Sequence, residues 1–298
     1  MERVLVTGAA GMLGSEVLRC APAGVRAIGT DLRPGEPGGA QSGCDAPGFD
    51  LADASAVERL FAQHGPFAGV IHCAAWTAVD LAEEKEAEAA RANETACSVL
   101  ATACAKAGIP LVVVSTDFVF DGNGTRPYRE EDPVQPLSAY GRTKLAGERA
   151  ALREHPGGAR IVRTQWLYGP RGKHFPGTIH QLASTRDELK VVTDQLGCPT
   201  TTLELAPALW DVLAKGASGI YHAACEGVVS WNELARATLE LSGNTRTRVM
   251  PCSSAEFPRP ARRPAYSALD CSKLARLRGR KLKPWREALA DFLKAHPL

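Results

Sequence analysis

The chain of 298 residues is 45% hydrophobic and 23% charged, which allows a large buried core and fits one large α/β domain or a domain with a smaller lobe. Its net charge of +2 gives no global reason to expect a nucleic-acid or membrane partner, and no apolar run approaches the ~20 residues that span a bilayer. Nine scattered cysteines without a C-x-x-C pair support neither a zinc site nor a disulfide framework, and no signal-peptide pattern follows Met1, so we expect a cytoplasmic protein.

The first predicted strand contains Val4 to Val6 and leads through a glycine-rich turn into the helix MLGSEVLRCA. The turn carries Gly8, Gly11 and Gly14. Glycines at such a turn let the backbone approach a pyrophosphate, which the N–H groups at the helix N-terminus can bind. The spacing is G-x-x-G-x-x-G rather than G-x-G-x-x-G, and a tight turn without a ligand is the alternative. Its place after the first strand favours a dinucleotide site.

A second predicted strand, VRAIGTD, ends at Asp31, where a carboxylate can bind the adenosine ribose hydroxyls. Asp31 favours NAD because it repels a 2′-phosphate, whereas Arg33 favours NADP, so both cofactors stay open. Asp50 and Leu51 follow a Gly- and Pro-rich loop and a plausible third strand, in a position to meet the adenine. The alternative for this pair is a helix N-cap, for which Asp53 is the better candidate.

The fourth predicted strand, GVIHCAA, ends in two small residues, Ala74 and Ala75, against which a cofactor can lie. Trp76 and Thr77 come next. The sequence then predicts one helix from about Glu83 to Ala107, with Asn93 inside it. An asparagine within a helix is mildly unfavourable, and it is either solvent-facing, which is commoner, or in contact with the site.

The apolar run from Leu111 to Val114 predicts a strand buried on both faces that delivers Thr116 at its carboxyl end, where open α/β sheets bind ligands. Tyr140 and Lys144 stand four residues apart in a predicted helix and so project from one face. A nearby ammonium favours the phenolate and lowers the pKa of a tyrosine, which would suit Tyr140 to proton transfer while Thr116 binds a carbonyl or alcohol. The alternative is a chance pattern with a half-buried Tyr140 and a solvated Lys144.

The second half of the chain predicts a small lobe that closes over the substrate. Its elements are a helix in TIHQLAS, a strand, turn and helix in VVTDQLGCPTTTLELA, a strand in SGIYHAA and a helix opening at Ser230 and Trp231. We therefore divide the chain into a dinucleotide-binding domain at 1–165 and a mainly substrate-binding lobe at 166–298, with later segments returning to the first domain. Trp166 is then a candidate substrate contact or a core aromatic residue.

Residues 259–286 are strongly basic, and most of these charges are expected on solvated faces. Arg262 and Arg263, flanked by prolines, are the best placed to bind a diphosphate bidentately. A nucleic-acid surface is disfavoured because no aromatic residues are interleaved with the charges.

The chain resembles a known family over nearly its whole length. It contains, in order, GAAGMLG, the Asp50 and Leu51 pair, HCAAWTAVD, RANETA, VVVSTDFVFDG and YGRTKLAGE, which resemble the extended short-chain dehydrogenase/reductase superfamily. More narrowly, STDFVFDG, SAYGRTKLAGE, RTQWLYG, VVTDQLGCPT and FPRPARRP resemble the dTDP-4-dehydrorhamnose reductase family. Phe118 stands where other members can carry tyrosine. The resemblance implies an α/β fold, a Rossmann-type doubly wound parallel sheet with a small C-terminal α/β substrate-binding lobe.

The resemblance also implies roles for residues at matching positions. Tyr140 would donate the proton, Lys144 would hold the nicotinamide ribose and lower the tyrosine pKa, and Thr116 would bind the 4-keto oxygen. Asp117 and Trp166 would contact the sugar nucleotide. The residues that would line NADH or NADPH are Gly11, Met12, Leu13, Asp31, Asp50, Leu51, Ala75, Trp76, Thr77 and Val114.

Family members differ in whether they use magnesium and whether they dimerise. The sequence contains no metal-ligand cluster, so we expect no metal site, and Mg²⁺ and a homodimer are options by analogy alone.

The expected activity is NAD(P)H-dependent reduction of the 4-keto group of a dTDP-4-keto-6-deoxy sugar, dTDP-4-dehydro-L-rhamnose. A 4-ketoreductase or epimerase acting on another nucleotide sugar would use the same three residues. A non-catalytic, cofactor-binding regulatory subunit is the alternative from another class, and the intact Thr116, Tyr140 and Lys144 disfavour it.

Overall fold

The computed structural model describes residues 1–32 and 44–298 of the chain. Its strands are β1 (Glu2–Thr7), β2 (Val25–Asp31), β3 (Ala46–Pro47), β4 (Gly69–His72), β5 (Leu111–Thr116), β6 (Ala159–Thr164), β7 (Leu167–Tyr168), β8 (Glu188–Val192), β9 (Leu196–Gly197), β10 (Thr200–Thr201), β11 (Gly219–His222), β12 (Val229–Ser230) and β13 (Arg248–Cys252). Its α-helices are α1 (Met12–Arg19), α2 (Ala54–His64), α3 (Leu81–Glu84), α4 (Glu86–Ala90), α5 (Ala96–Ala107), α6 (Ala139–Glu154), α7 (Phe175–Ala183), α8 (Thr202–Lys215), α9 (Trp231–Leu241), α10 (Ser272–Arg278) and α11 (Trp285–Ala295). None of these helices combines the length and apolar character that a membrane crossing requires.

Seven strands form a parallel sheet in the order β11-β6-β5-β4-β1-β2-β3. The strand order reverses at β1, which lies between β2 and β4. Open α/β sheets bind dinucleotides at this switch point, beyond the carboxyl ends of the strands. The Rossmann-type fold class predicted from the sequence is confirmed.

Helices cover both faces of the sheet because successive strand residues point to opposite sides. Val4 and Val6 of β1 pack with α1 and α8 on one face. Leu5 packs on the other face, with α2 and α5. All three side chains are at most 3% exposed, so β1 is buried on both sides, as expected for a central parallel strand.

The chain returns to this sheet after residue 165, with two elements from segments that the sequence analysis had grouped with the lobe. Strand β11, from the segment SGIYHAA, pairs with β6, with Ile220 beside Ile161. Helix α8 buries Leu205, Leu209 and Val212 against the β1 face. Both elements are therefore part of the main sheet and its helical layers. Helix α8 buries its apolar side against the sheet, and β11 pairs with β6, whose edge would otherwise be unpaired.

The lobe itself is built from three short two-stranded ladders, β7 with β10, β8 with β13 and β9 with β12, and from helices α7, α9 and α11. Ile179 of α7, Leu189 of β8 and Leu239 of α9 share one core. Tyr168 and Phe292 share a second core with α9. This lobe follows the carboxyl end of β6, so it begins at the ligand-binding edge of the sheet.

The single helix predicted from about Glu83 to Ala107 is interrupted. Lys85, with φ −125° and ψ 45°, separates α3 from α4, and a π-helical turn occupies Arg91–Thr95 before α5 begins. Such π-bulges occur frequently at functional sites, because the extra residue redirects a side chain.

Candidate active site

The glycine-rich turn joins β1 to α1 in close backbone contact. Gly8 has φ +65°, and a Cβ built on Gly14 would lie 2.1 Å from the carbonyl oxygen of Gly8, so only glycine allows α1 to start this near the strand. No side chain caps the N-terminus of α1 at Gly11. Gly11, Met12, Leu13 and Gly14 thus surround a helix N-terminus at the switch point, a geometry that favours an anionic ligand and fits a dinucleotide pyrophosphate.

Asp31 lies beside this turn at the end of β2. Its Oδ2 accepts a hydrogen bond from the backbone N–H of Ala10 at 3.1 Å, which ties the glycine-rich turn to the second strand. Arg33, the residue that favours NADP in the sequence analysis, lies outside the described residues. The choice between NAD and NADP therefore stays a prediction.

Asp50 and Leu51 lie in the turn that follows β3. Asp50 Oδ1 accepts from Ala52 N at 3.0 Å, and Oδ2 accepts from Arg91 Nη2 at 2.7 Å. The hydrogen bond from Arg91 holds the pKa of Asp50 below its ordinary value. This ion pair joins the predicted adenine side of the site to the π-helical turn.

The segment after β4 is held by a residue whose role the sequence left open. Asn93, in the π-helical turn, is 1% exposed rather than solvent-facing. Its Oδ1 accepts from Trp76 N at 2.8 Å, and its Nδ2 donates to Thr143 Oγ1 at 3.0 Å. Ala74 N donates to Thr7 Oγ1 at 3.2 Å. Asn93 therefore connects the predicted cofactor segment, Ala74 to Thr77, to helix α6.

Thr116, Tyr140 and Lys144 come together at the carboxyl end of β5. The Lys144 side chain is buried, and its Nζ donates to the carbonyl oxygen of Val114 at 2.7 Å. Helix α6 begins after Ser138, whose Oγ accepts from Gly141 N, and this cap places Tyr140 in the first turn. Thr116 is 5% exposed, and its Oγ1 donates to Asp117 Oδ1 at 3.0 Å.

The pKa of Tyr140 differs from the sequence-based expectation. Burial raises the pKa of Tyr140 to about 12, a hydrogen bond with Thr116 opposes this rise, and the charge of Asp117 adds to it. Burial also lowers the pKa of Lys144. The expected lowering of the tyrosine pKa by Lys144 is not seen here, since burial and the charge of Asp117 raise that pKa and only the hydrogen bond with Thr116 lowers it. The phenol carries its proton at neutral pH, as an unperturbed tyrosine does, and burial makes it a weaker acid than the sequence-based expectation.

Asp117 is buried next to these residues. Burial raises the pKa of its carboxyl group to about 6, although hydrogen bonds with Ser267 and Thr116 favour the charged form. The Ser267 hydroxyl has one proton, so it serves either Asp117 or Gln165 Oε1, which lies 3.2 Å from Ser267 Oγ. Asp117 is thereby connected through Ser267 and Gln165 to the start of the lobe, where Trp166 follows Gln165.

A buried ion pair joins the elements that carry the three candidate catalytic residues. Arg163 of β6 and Glu148 of α6 are each 2% exposed, with Arg163 Nη2 2.7 Å from Glu148 Oε2. Ser115 Oγ donates to Glu148 Oε1 at 2.5 Å. These contacts join β5, β6 and α6. Ser115 immediately precedes Thr116, and Glu148 lies one helical turn after Lys144.

The predicted substrate residues occupy different environments. Trp166 lies among the lobe aromatics and stacks on Trp231, with ring centroids 3.6 Å apart. Arg262 is exposed. Arg263 donates from Nη1 and Nη2 to the two carboxylate oxygens of Asp80 at 3.1 and 3.0 Å. The bidentate capacity that we assigned to Arg263 for a diphosphate is therefore used within the chain, where it fixes the 259–263 segment over the loop after β4.

No group of three or more His, Cys, Asp or Glu side chains suited to a metal ion occurs within residues 1–32 and 44–298.

Comparison with known proteins shows which family the chain resembles over its whole length. The family model described as the RmlD substrate binding domain matches residues 1–297. A dTDP-4-dehydrorhamnose reductase of Streptomyces griseus is 42% identical over 298 residues, which cover 98% of this chain and 93% of the relative.

Two solved structures share the fold over nearly all of both chains. The crystal structure of a dTDP-4-dehydrorhamnose reductase from Clostridium acetobutylicum superposes with a TM-score of 0.89 at 38% identity, covering 99% of this chain and 100% of the other. That of a dTDP-4-dehydrorhamnose reductase from Bacillus anthracis, in complex with NADP, gives a TM-score of 0.88 at 32% identity, with 99% of each chain covered. The chain belongs to the dTDP-4-dehydrorhamnose reductase family.

Proposed function

We propose that this protein reduces the 4-keto group of dTDP-4-dehydro-L-rhamnose to give dTDP-L-rhamnose, with NADPH or NADH as the reductant. The observation that carries the proposal is the convergence of Thr116, Tyr140 and Lys144 at the carboxyl end of β5, two strands from β1 and its glycine-rich turn in a parallel sheet. The family membership supports the substrate class. When bound, the reduced nicotinamide supplies the hydride.

The chain's own residues supply binding and the proton. Tyr140, whose phenol carries its proton at neutral pH, gives that proton to the oxygen that becomes the 4-hydroxyl. Thr116 holds that oxygen by a hydrogen bond. We assign Lys144, fixed by its bond to Val114 O, to the nicotinamide ribose.

The cofactor residues follow from the switch point. Gly8, Gly11, Met12, Leu13 and Gly14 line the turn that would take the pyrophosphate. The remaining proposed cofactor contacts are Asp31, Asp50, Leu51, Ala74, Ala75, Trp76, Thr77 and Val114. NADPH is supported by the Bacillus anthracis relative, solved in complex with NADP, and NADH by the carboxylate of Asp31 at the predicted ribose position.

On the substrate side we assign Asp117 and Trp166 to the sugar nucleotide and Arg262, exposed on the 259–263 segment, to its diphosphate. Arg263 contributes indirectly by anchoring that segment to Asp80. A homodimer, the lack of a nucleic-acid partner and a cytoplasmic location stay predictions.

The test is the fall in reduced-nicotinamide absorbance when purified protein meets dTDP-4-keto-L-rhamnose generated in situ, with NADH and NADPH in parallel. We expect turnover, and we expect Tyr140→Phe to lower kcat by a factor of about 10² to 10⁴ while leaving cofactor binding nearly unchanged. Tyr221→Phe is the matched control, because it removes a phenol hydroxyl from β11, at the far edge of the sheet.

Unchanged turnover in Tyr140→Phe would refute the assigned proton donor. Cofactor binding without turnover of dTDP-4-keto-L-rhamnose or of a second dTDP-4-keto-6-deoxy sugar would favour the non-catalytic regulatory alternative.

A further inference from the structure

Trp166 has a backbone conformation that its residue type disfavours. Its φ is +48°, in the left-handed region, where a bulky side chain is a rare outlier. Such a conformation persists only where the surroundings enforce it, and strained residues concentrate at functional sites. The question is therefore what enforces it at Trp166.

Neighbouring hydrogen bonds hold the backbone on both sides of Trp166. Gln165 Oε1 accepts from Cys198 N at 2.9 Å and from Ser267 Oγ at 3.2 Å. The carbonyl oxygen of Trp166 accepts from Thr200 N at 3.2 Å, at the start of the ladder between β7 and β10. These bonds fix where the Cα–Cβ bond of Trp166 points.

The indole of Trp166 is confined by two neighbours. Trp231 stacks on it with ring centroids 3.6 Å apart and planes 10° from parallel. The edge of the same indole lies against Gly197, where an added Cβ would be 2.7 Å from Trp166 Cε2. Phe175 supports Trp231, with ring centroids 4.5 Å apart.

Trp231 is itself held rigidly at the first position of α9. Ser230 Oγ accepts from Glu233 N at 3.2 Å, and Glu233 Oε2 accepts from Ser230 N at 2.8 Å, a complete capping box. The preceding strand β12 pairs with β9, which places Val229 opposite Gly197. Trp231 and the backbone that confines Trp166 are therefore parts of one small framework.

This framework reaches the candidate catalytic residues through Ser267, whose hydroxyl donates to Gln165 Oε1 at 3.2 Å and lies close enough to Asp117 to influence its carboxyl group. We propose that Trp231 is a positioning residue that stacks on Trp166 and thereby holds its indole in place for the nucleotide-sugar substrate. This inference depends on the proposed function, since it concerns the sugar-nucleotide side of the same site. It assigns to Trp231 no contact with reacting atoms.

The experiment compares Trp231→Ala and Trp231→Phe with Trp285→Phe as a matched control from the same aromatic cluster. Each protein is measured for the exciton couplet that stacked indoles give in far-UV circular dichroism, for KM and kcat, for NADPH binding, for binding of dTDP-L-rhamnose and for thermal stability.

We expect Trp231→Ala to lose the couplet and to raise KM for the keto sugar about three- to tenfold, with kcat and NADPH affinity within about twofold of wild type. Trp231→Phe should also lose the couplet, because one indole is gone, yet keep KM within about twofold of wild type, because a phenyl ring still stacks. Trp285→Phe should keep both the couplet and KM.

An unchanged KM in Trp231→Ala would overturn the proposal. A rise in KM accompanied by a comparable weakening of NADPH binding and a marked drop in thermal stability would also overturn it, because that pattern indicates a merely structural role. If Trp231→Ala does not fold, Trp231→Leu decides by the same criteria. A wild-type couplet that persists in the Trp166→Phe variant would refute the stack itself. Failure of the proposed function is recognised separately, because the wild-type protein would then neither turn over the keto sugar nor bind dTDP-L-rhamnose.

Discussion

Replacing Glu148 by glutamine should destabilise the fold severely. Arg163 Nε and Nη2 donate to the two carboxylate oxygens of Glu148 at 2.9 and 2.7 Å, and both side chains are 2% exposed. Glu148→Gln keeps the shape of the side chain, removes the negative charge and leaves the arginine buried and unpaired. Removing one partner of a buried pair costs about 3–5 kcal/mol of the free energy of unfolding.

Glu86→Gln is a matched control on an exposed pair that also involves helix α6. Arg142 Nη2 lies 2.8 Å from Glu86 Oε2, but these side chains are 46% and 45% exposed. Solvent screens such a pair, so its loss should cost no more than about 1 kcal/mol. The same charge change is thereby made in a buried and in an exposed environment.

The assay is urea unfolding at neutral pH followed by tryptophan fluorescence. With a slope of about 3 kcal/mol per molar urea, the midpoint for Glu148→Gln should fall by at least about 1 M, while that for Glu86→Gln moves by less than about 0.3 M. A double variant, Glu148→Leu with Arg163→Met, should recover most of the loss, because a well-packed apolar pair replaces the charges. Equal midpoints for Glu148→Gln and Glu86→Gln would refute the reasoning.

Two further changes test the electrostatics and the loop anchoring of the site. The raised pKa of Asp117, about 6 against an ordinary 3.8, means that the native state binds more protons than the unfolded state between those pH values, so wild-type stability falls as the pH rises through that window. Because the proton difference is incomplete at both ends of this window, Asp117→Asn should gain about 2 kcal/mol relative to wild type from pH ~4 to pH ~6 in urea titrations, and a difference that does not change with pH would contradict this origin. Asn93→Ala should cost about 1–3 kcal/mol, because Trp76 N and Thr143 Oγ1 lose a buried partner, and should weaken NADPH binding in a fluorescence titration; unchanged affinity would show that the Trp76 segment does not hold the cofactor.

Elements whose local pattern agrees with their environment could be predicted from the sequence. The strand VRAIGTD is β2 as predicted, and the glycine turn leads into α1 at Met12. The helix that carries Tyr140 and Lys144 runs from Ala139 to Glu154 behind a Ser138 cap. In each case hydrophobic periodicity and cap or turn residues point to the same structure, so no tertiary information was needed.

Features that depend on distant partners could not be predicted. The pattern of SGIYHAA predicts a strand but not the strand with which it pairs. It pairs with the edge of β6 and so joins the main sheet as β11, a tertiary contact that the local sequence does not indicate. Asn93 inside a helix is usually exposed, and its burial follows from the π-helical turn that directs it toward Trp76 and Thr143. Spacing in the sequence likewise gave no sign that Asp80, 183 residues away, would occupy both donors of Arg263.

The two sides of the candidate site are held by different physical means. On the cofactor side, α6 touches the π-helical turn directly, since a Cβ on Gly147 would lie 2.1 Å from Asn93 O, and the buried Glu148 pair locks the same helix to β6. Backbone contact and buried charge leave Lys144 little freedom to move. On the sugar side, the 259–263 segment is held by the bond from Arg263 to Asp80, whose side chains are 22% and 26% exposed, so solvent weakens this tie relative to the fully buried Glu148 pair. We therefore expect amino-acid changes that alter the accepted sugar to lie in this segment and around Trp166, where a shift leaves the hydride and proton geometry intact.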